Sequence, residues 1–456
     1  MPFDTLAFFI FMVAIWVLWV SLPFPKVVLF AFSLIFYAFA GWNDVLIVAA
    51  LLVANFAFSF LVSRSKLLLA LIILTNFIVL FIFKYETFFI SGVAGLDLFT
   101  TDIVIPLGIS FYVFQMTGYQ IDLAGGRCAV QRDPFRFVIF VMFFPQLIAG
   151  PIVRAQTFMP QINHLDRIRQ RSLRITVLPS LALILLGLIK KIYFADSLAP
   201  IVNDIFARGP ADPHTALLGA WLFAFQIYFD FSGYSDMAVG LARLFGIRLP
   251  MNFFQPYLSR SPREFWQRWH VTLSRWIQDY LYIPLGGNKG PWARACAVLL
   301  ITMGLAGLWH GANWTFIIWG LGWGLVVYLF RHATPFVSRH PLAGWAMTFG
   351  LTLVLWVFFR SPDLNFALSY FTTLAGGAPT GDWSIALTGA QGLFVVVGCV
   401  FLLALHYAET KLFSARIVRF LARTDTVLWR GVVIAIILWL VLLPDLSGNP
   451  FIYFRF

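Results

Sequence analysis

Charge is scarce in this sequence. Only 11% of its 456 residues are charged, whereas 61% are hydrophobic, and the mean hydropathy is +0.85. This balance lies outside that of soluble domains. The three cysteines, Cys128, Cys296 and Cys399, lack the paired spacing of a metal or redox motif. We therefore expect a membrane protein with no metal site, whose cysteines act as small apolar side chains.

Several catalytic motifs are also missing. The chain has no G-x-x-x-x-G-K-[ST] phosphate loop, no G-x-S-x-G elbow and no H-E-x-x-H zinc motif. These absences argue against three classes of protein: a nucleotide-driven pump, a serine hydrolase and a zincin.

Apolar runs recur along nearly the whole chain, and about 20 apolar helical residues cross the hydrocarbon core. The candidate spans are 5–22, 27–40, 45–62, 67–83, 103–122, 137–150, 174–192, 215–245, 293–309, 311–331, 342–359, 391–408 and 431–444. The runs 27–40 and 137–150 are short enough to be tilted, re-entrant or partly buried, so we expect about eleven true spans. The pattern predicts an all-α polytopic membrane protein with one integral domain over 1–456.

The distribution of cations predicts the orientation of this protein. Its net charge is +12, but the cations lie between apolar spans rather than on a separate basic domain, so nucleic-acid binding is not favoured. Basic residues occur at alternating ends of the early spans, at Lys26, Arg64, Lys66, Arg127, Arg132 and Arg136. The cation-free turn 41–44 lies between them, so the positive-inside rule predicts an external N-terminus. The N-terminus carries Asp4 and lacks a basic n-region, so the first span is expected to be retained.

Two basic connections, 164–174 and 411–430, are the densest and are expected in the cytoplasm. A basic mouth there would favour an anionic donor such as acetyl-CoA. The alternative is that these charges only set the orientation of the protein in the membrane, by the positive-inside rule.

The segment that starts at Ser261 has the S-x-x-E form of a capping box, with Pro262 at the first helical position. An apolar face then follows at helical spacing, made of Phe265, Trp266, Trp269, Leu273, Trp276, Ile277 and Tyr280. The opposite face carries Glu264, Arg268, Arg275 and Asp279. We expect a helix that ends near Pro284 and lies along the membrane surface or inserts shallowly, and a second one at 362–374.

The sharpest candidate site is His310, which lies within the apolar stretch Gly307–Trp314 beside small residues. Polar groups at membrane depth are costly unless they are paired or line a wet cavity. An imidazole can accept the proton of an attacking hydroxyl, which acyl transfer from a thioester to an alcohol requires. The alternative is a packed histidine that is hydrogen-bonded to a neighbouring helix.

Two further places hold polar residues in apolar surroundings. His270 follows two tryptophans, where it would orient a donor or acceptor, polarise a carbonyl or only anchor the interface. The run Tyr228–Asp236 places Asp230 and Asp236 in an apolar span. A six-residue offset separates these carboxylates around a helix, so a structural or tunnel-lining role is favoured over a catalytic pair.

Four motifs resemble the bacterial alginate O-acetylase branch of the membrane-bound O-acyltransferases. They are F-P-Q-L-I-A-G-P-I-V-R at 144–154, D-F-S-G-Y-S-D at 230–236, the stretch 264–290 with R-W-H-V-T-L-S and D-Y-L-Y-I-P-L-G-G-N, and the W-H-G core at 309–311. The likeness runs from about 106 to 319 and resumes at 451–456. Within 1–456 it implies N-terminal spans over 1–100, a catalytic core over 106–320 and C-terminal spans over 340–456.

The resemblance implies a ring of helices around a thinned centre that is crossed by a tunnel. Its catalytic histidine corresponds to His310 and its second histidine to His270, while tunnel or structural polar roles are expected for Asp230, Ser232, Tyr234, Asp236, Asn313 and Arg268. No cofactor is expected to be bound; acetyl-CoA would enter from the cytoplasm as substrate. Acetyl would leave for an extracytoplasmic polysaccharide, with the help of an SGNH-hydrolase-like partner, at a bacterial inner membrane. The rival readings are a transporter, which Asp230 and Asp236 would also suit, and a scaffold for polysaccharide export.

Overall fold

Helices make up the regular structure of the chain. The computed structural model describes residues 2–93, 105–147, 150–172, 177–331, 333–385, 389–412, 419–421, 423–442 and 451. Within these ranges the only β-type pairing is an isolated bridge between Pro210 and Trp383. The all-α prediction is confirmed. Parts of several predicted spans, connections and motifs lie outside the described ranges, at 103–104, 148–149, 173–176, 413–418, 422, 443–444 and 452–456.

The chain divides into two compact units. Unit 1 comprises Met1–Leu188, Tyr234–Met251 and Leu421–Leu443, and unit 2 comprises Ile189–Gly233, Asn252–Phe420 and Pro444–Phe456. The bounds of these units differ from the expected subdivisions 1–100, 106–320 and 340–456. The expectation of one integral domain stays a prediction.

Unit 1 holds most of the N-terminal helices. They are α1 Leu6–Ser21, α2 Pro25–Ala38, α3 Trp42–Ser59, α4 Lys66–Lys84, α5 Ile109–Ala124, α6 Pro134–Met142, α7 Phe144–Leu147, α8 Ala155–Asn163, α9 Leu165–Ser172 and α10 Leu178–Leu188. A buried amide pair joins α3 to α4, because Asn55 and Asn76 each donate to the other's side-chain oxygen at 2.7 and 3.1 Å. Gln120 of α5 donates to the backbone oxygen of Asn55 at 2.7 Å. These bonds satisfy amides that would be costly in an apolar interior.

Unit 2 holds the helices that carry both candidate histidines. They are α11 Ser197–Arg208, α12 Pro213–Leu244 as far as residue 233, α13 Pro262–Arg268, α14 Val271–Ile277, α15 Trp292–His310, α16 Trp314–Phe330, α17 Thr334–Arg339, α18 Pro341–Arg360, α19 Leu364–Leu374 and α20 Gly389–Leu412. The rest of α12 and α21 Val427–Leu442 belong to unit 1. A π-helical segment, Ile189–Asp196, precedes α11.

Among the described residues, six helical stretches are long and apolar enough to cross a membrane, by length and composition. They are Trp42–Ser59, Lys66–Lys84, Leu178–Arg208, Pro213–Leu244, Trp292–His310 and Pro341–Arg360. Shorter apolar helices occupy Leu6–Ser21, Pro25–Ala38, Trp314–Phe330, Val395–Glu409 and Val427–Leu442. The polytopic prediction is confirmed, while the number of true spans, the ring and its tunnel stay predictions. Residues 137–147 of the candidate span 137–150 lie on two short helices, α6 and α7, which meet at Phe143, as the shortness of that span indicated.

The segment after Ser261 differs from its prediction. Its start is confirmed, because the Ser261 hydroxyl accepts from the backbone N–H of Glu264 at 3.2 Å, with Pro262 at the first position. A single helix to Pro284 is wrong, however, since α13 ends at Arg268, α14 begins at Val271 and a π-helical turn follows. Phe265 and Trp269 are each only 1% exposed, so this part of the apolar face is packed inside unit 2. The second predicted segment, 362–374, is helical as α19.

Candidate active site

His310 is the last residue of α15, where the helix meets α16 in a tight antiparallel pair. Glycines allow this approach: a Cβ on Gly307 would lie 2.1 Å from the backbone oxygen of Phe316, and one on Gly320 would lie 2.1 Å from that of Met303. Real Cβ atoms do not come so close, so both positions require glycine, as in other membrane helix pairs with small residues at the contact. The close pairing fixes the position of His310.

The three residues after His310 form the turn between the two helices. Asn313 caps α16, because its side-chain oxygen accepts from the backbone N–H of Thr315 at 3.0 Å. Its amide nitrogen donates to the backbone oxygen of Pro362 at 2.8 Å, which ties the turn to the end of α18. Asn313 thus has a structural role in this turn, whereas its predicted tunnel-lining role stays a prediction.

Aromatic rings surround the imidazole of His310, which is 4% exposed. Ring centroids of Trp309, Trp319 and Phe359 lie 4.9, 5.1 and 5.2 Å from its own. Two of these rings meet it nearly edge to face, with interplanar angles of 79° and 87° for the indoles. Aromatic side chains packed in this way exclude water from a reacting group, and electrostatic interactions become stronger because the local dielectric constant is low.

His270 lies at the break between α13 and α14. Its φ of 40° and ψ of 53° put it in the left-handed region, which non-glycine residues seldom adopt. Asn252 holds the following turn, since its side-chain oxygen accepts from the Thr272 hydroxyl at 2.6 Å and its backbone oxygen accepts from the N–H of Val271 at 3.0 Å. The conformation at position 270 is therefore fixed by its neighbours and not by local preference.

The side chain of His270 is completely buried against aromatic rings. Its ring centroid lies 4.6 Å from that of Phe231 and 6.3 Å from that of Trp309. Among the described residues, neither of its ring nitrogens has a hydrogen-bond partner. Burial lowers the pKa of His270 to about 3, so the imidazole is neutral and keeps one donor and one acceptor nitrogen. The structure thus brings both histidines against the same indole, Trp309.

Asp230, on α12, belongs to a buried charge cluster. One oxygen of Asp230 lies 2.9 Å from the ammonium of Lys191, which also lies 2.7 Å from a carboxylate oxygen of Asp196. All three side chains are almost completely buried. Buried charges persist only when they are paired, and this pairing connects the π-helical segment to α12.

The other predicted polar residues fall in different surroundings. Ser232 is completely buried, and its hydroxyl has no hydrogen-bond partner in the described part of the chain. Arg268 forms an ion pair with Glu264 at 2.6 Å, four residues back on α13. Tyr234 and Asp236 are buried and belong to unit 1, whereas the histidines and Asp230 belong to unit 2. Their predicted tunnel or structural roles stay predictions.

Sequence reasoning missed a second buried cluster in unit 2. Glu409 of α20 pairs with Lys190 at 2.9 Å and accepts from the hydroxyl of Tyr228 at 2.5 Å. His406 lies one turn before Glu409, with 3.4 Å between its Nδ1 and a carboxylate oxygen. Its Nε2 accepts from the backbone N–H of Tyr257 at 3.3 Å, so the proton of the neutral ring lies on Nδ1. The sequence signal that could have revealed this cluster was the ionisable residues within or directly after the apolar runs 174–192 and 391–408.

The first motif of the sequence lies in unit 1. Phe144–Leu147 forms α7, and the side chain of Gln146 donates to the backbone oxygen of Phe140 at 2.7 Å. A Cβ on Gly150 would lie 2.3 Å from the Cα of Gln146, so the chain passes very close to itself there. Residues 148 and 149 of the motif lie outside the described ranges.

Comparison with known proteins gives one family. The model of the membrane-bound O-acyltransferase family, MBOAT, matches residues 129–361. The protein named "Probable alginate O-acetylase" from Azotobacter vinelandii is 42% identical over 333 residues, which cover 70% of this chain and 64% of that protein. A protein of the same name from Pseudomonas aeruginosa is 36% identical over 387 residues, 79% of this chain and 72% of that protein.

A relative with another named substrate is similar over a comparable length. The peptidoglycan O-acetyltransferase of Helicobacter pylori is 35% identical over 399 residues, 77% of this chain and 74% of that protein. The match covers less than two thirds of the Azotobacter protein and about three quarters of the Helicobacter protein.

Proposed function

The chain belongs to the membrane-bound O-acyltransferase family, and we propose that it transfers an acetyl group from cytoplasmic acetyl-CoA to a hydroxyl of an extracytoplasmic polysaccharide. The observation that carries this proposal is the placement of His310 and His270 against one indole, within an aromatic enclosure of an otherwise apolar protein. Transport alone gives no reason for two enclosed imidazoles.

His310 acts as the general base in this proposal. It accepts the proton of the attacking hydroxyl as the oxygen forms a bond to the thioester carbonyl carbon. The C–S bond of the tetrahedral intermediate then breaks, and the proton passes from His310 to the leaving thiolate. Atoms and charges balance, because one thioester and one alcohol become one ester and one thiol. His270 stays neutral and positions the donor or polarises its carbonyl through a ring N–H.

The charge pattern of unit 2 supports entry of the donor from the cytoplasm. Basic residues flank the ends of α15, α16 and α18 that lie opposite His310, at Lys289, Arg294, Arg331 and Arg339. The turn 311–313 after His310 has no charged residue. By the positive-inside rule the basic ends face the cytoplasm, and His310 lies at the other end of α15. A donor arm would therefore reach His310 from the basic side.

The names of the relatives guide the choice of acceptor. Similar proteins are named for alginate, peptidoglycan and, at 30% identity or less, teichoic acid. We propose an alginate-like or other exopolysaccharide as acceptor, an SGNH-hydrolase-like partner that completes the delivery, and the bacterial inner membrane as location. The resemblance of the sequence motifs to the family and the predicted orientation support these three proposals.

Turnover by purified protein tests the proposed function. Wild type, His310→Ala and His340→Ala would be reconstituted in liposomes with acetyl-CoA and an alginate oligosaccharide, which supplies the acceptor hydroxyl, and the release of free CoA measured. His340 is an exposed histidine of the same unit and serves as the matched control. We expect release by wild type and His340→Ala, and a loss of at least about 10²-fold in His310→Ala. Uptake of a glycan without thioester cleavage would instead identify a transporter.

A further inference from the structure

Three indole N–H groups near His310 lack acceptors. They belong to Trp319 and Trp323 of α16 and Trp266 of α13, and no described residue accepts from any of them although each nitrogen is buried. The side chains of Trp319 and Trp323 are 1% and 0% exposed. Buried indole N–H groups usually have a partner, because losing water without replacing its hydrogen bond is costly. Three such donors in one place require an explanation.

Two other tryptophans of unit 2 have indole hydrogen bonds, whereas the buried N–H of Trp221, away from this row, also has no partner among the described residues. The indole N–H of Trp345 donates to the backbone oxygen of Tyr257 at 2.8 Å, and that of Trp356 donates to the Tyr257 hydroxyl at 3.2 Å. Trp356 even packs against Trp319, with 5.8 Å between ring centroids. Unit 2 therefore does supply acceptors to indoles that serve only its own packing.

The three indoles form a row that leads away from His310. The Trp319 ring contacts the imidazole, with 5.1 Å between centroids and an interplanar angle of 87°. Trp323 follows four residues later, so it lies on the same face about 6 Å further along α16. Trp266 lies beside both of them, at 5.9 Å from Trp319 and 5.4 Å from Trp323. The row runs from the candidate base toward the basic end of α16.

We propose that these indoles bind the carbonyl oxygens of an acylated pantetheine-type arm: Trp319 donates to the oxygen of the reacting thioester, and Trp323 and Trp266 donate to amide carbonyls of the arm. This inference rests on the proposed function and assigns the residues that recognise its donor. A thioester on a pantetheine arm carries the needed chemistry, because its carbonyl and its amides are acceptors spaced along an extended chain. A lipid tail would not present such a row of carbonyls.

The two parts of the row act at different stages. As the hydroxyl oxygen attacks, the thioester carbonyl oxygen becomes negatively charged, and the N–H of Trp319 stabilises that charge until the C–S bond breaks. The amide carbonyls do not change during the reaction, so Trp323 and Trp266 bind the ground state and the transition state equally. Loss of Trp319 should therefore lower kcat, and loss of the other two should raise KM.

Steady-state release of CoA from acetyl-CoA by full-length protein, with an alginate oligosaccharide as acceptor at a fixed saturating concentration, tests this assignment. We expect Trp319→Phe to lower kcat by about 10²- to 10³-fold with KM within threefold of wild type. Trp323→Phe and Trp266→Phe should each raise KM about tenfold with kcat within threefold. The control Trp345→Phe, which loses an indole N–H that already has a partner, should change neither constant beyond twofold.

A second variant separates the lost donor from the smaller ring. Replacement of Trp319 by β-(3-benzothienyl)alanine exchanges the N–H for sulfur and keeps the size of the side chain. We expect the same fall in kcat, with an unfolding temperature equal to that of wild type or higher, because a donor without a protein acceptor is removed.

A kcat within twofold of wild type in the benzothienyl protein would overturn the assignment of Trp319, and would mean that its N–H binds only water. In that case the loss of CoA release in His310→Ala would still support the proposed function. Absence of His310-dependent release in wild type would contradict the proposed function, and with it this inference.

Discussion

A histidine side chain that makes no hydrogen bond inside an apolar protein lowers the stability of the fold, and other interactions must offset this cost. His270 is such a residue, because it is completely buried, lies in the left-handed region, and neither of its ring nitrogens has a hydrogen-bond partner among the described residues. Asn252 and the start of α14 hold its backbone. Strain of this kind occurs mostly at functional sites, where a particular geometry is worth its cost.

The buried state of His270 makes stability depend on pH. Its pKa falls from the ordinary 6.5 to about 3 on folding, so between these values the unfolded chain binds a proton that the folded chain does not. Stability is therefore lost as the pH falls below 6.5. At pH 5.0 this proton costs about 2 kcal/mol. We expect His270→Gln in detergent to lose about that much less stability than wild type between pH 7.5 and 5.0, as measured by thermal unfolding.

The matched control for this experiment is His340→Gln. His340 is exposed, so its replacement removes an imidazole of the same unit without altering the buried site. Equal pH dependence in wild type and His270→Gln would mean that His270 is not held neutral in the folded protein.

The sequence predicted single residues well where an ionisable group interrupts an apolar run. His310 and Asp230 were identified in this way, and both are buried. Lys191, inside the run 174–192, and Glu409, directly after the run 391–408, were missed because these runs were interpreted only for their length. Their partners Asp230 and Lys190 come from distant parts of the chain, and only the folded structure brings them together.

At the scale of helices, the pair α15 and α16 depends on glycine at its contact. Gly307→Ala would place a Cβ 2.1 Å from a backbone oxygen of Phe316, which neither helix can accommodate without separating. We expect Gly307→Ala to lower the unfolding temperature and to reduce acetyl transfer by at least tenfold, because His310 moves with α15.

Gly350→Ala on α18 is the control, since a Cβ there meets nothing within 4 Å. Alanine at that position should stabilise the helix by about 0.5–1 kcal/mol and leave activity unchanged. Similar stability and activity in the two variants would show that the close contact between α15 and α16 is not needed.

Helix starts were easier to predict than helix breaks. The capping box at Ser261 is a local pattern, and the structure confirms it. The break at Trp269 and His270 has no such pattern, because no glycine or proline lies there. It results from packing: Trp269 is buried beside Trp356, and Asn252 holds the start of α14. Tertiary contacts of this kind cannot be read from helical spacing.

At the scale of the whole molecule, hydropathy predicted an all-helical membrane protein, and the family comparison agrees with it. Exposure differs between the helices: 83% of the apolar window in Pro213–Leu244 is buried, but only 17% in Lys66–Lys84. Hydropathy alone cannot distinguish the two, since a helix inside the protein and a helix against lipid are equally apolar. The division into two units was not predicted for the same reason.

The orientation of unit 2 gives a prediction that labelling can check. In a protein with Cys128, Cys296 and Cys399 replaced by serine, Ser338→Cys should react with an impermeant maleimide only from the cytoplasmic side. Ala378→Cys, in the connection after α19, should react only from outside, because α18 crosses the membrane between the two positions and α19, with 11 residues, is too short to cross it. Both positions are exposed. Labelling of both from the same side would contradict the proposed path of the acetyl group.

The most direct test of the central claim is the acetate that base releases from envelope and secreted polysaccharides. It would be measured in cells carrying wild type, a deletion, His310→Ala or His340→Ala at matched membrane abundance. The account predicts that acetate disappears from one polymer in the deletion and His310→Ala cells and stays in the other two. Loss on deletion with full acetylation in His310→Ala cells would contradict a catalytic His310 and indicate a transport or scaffold role.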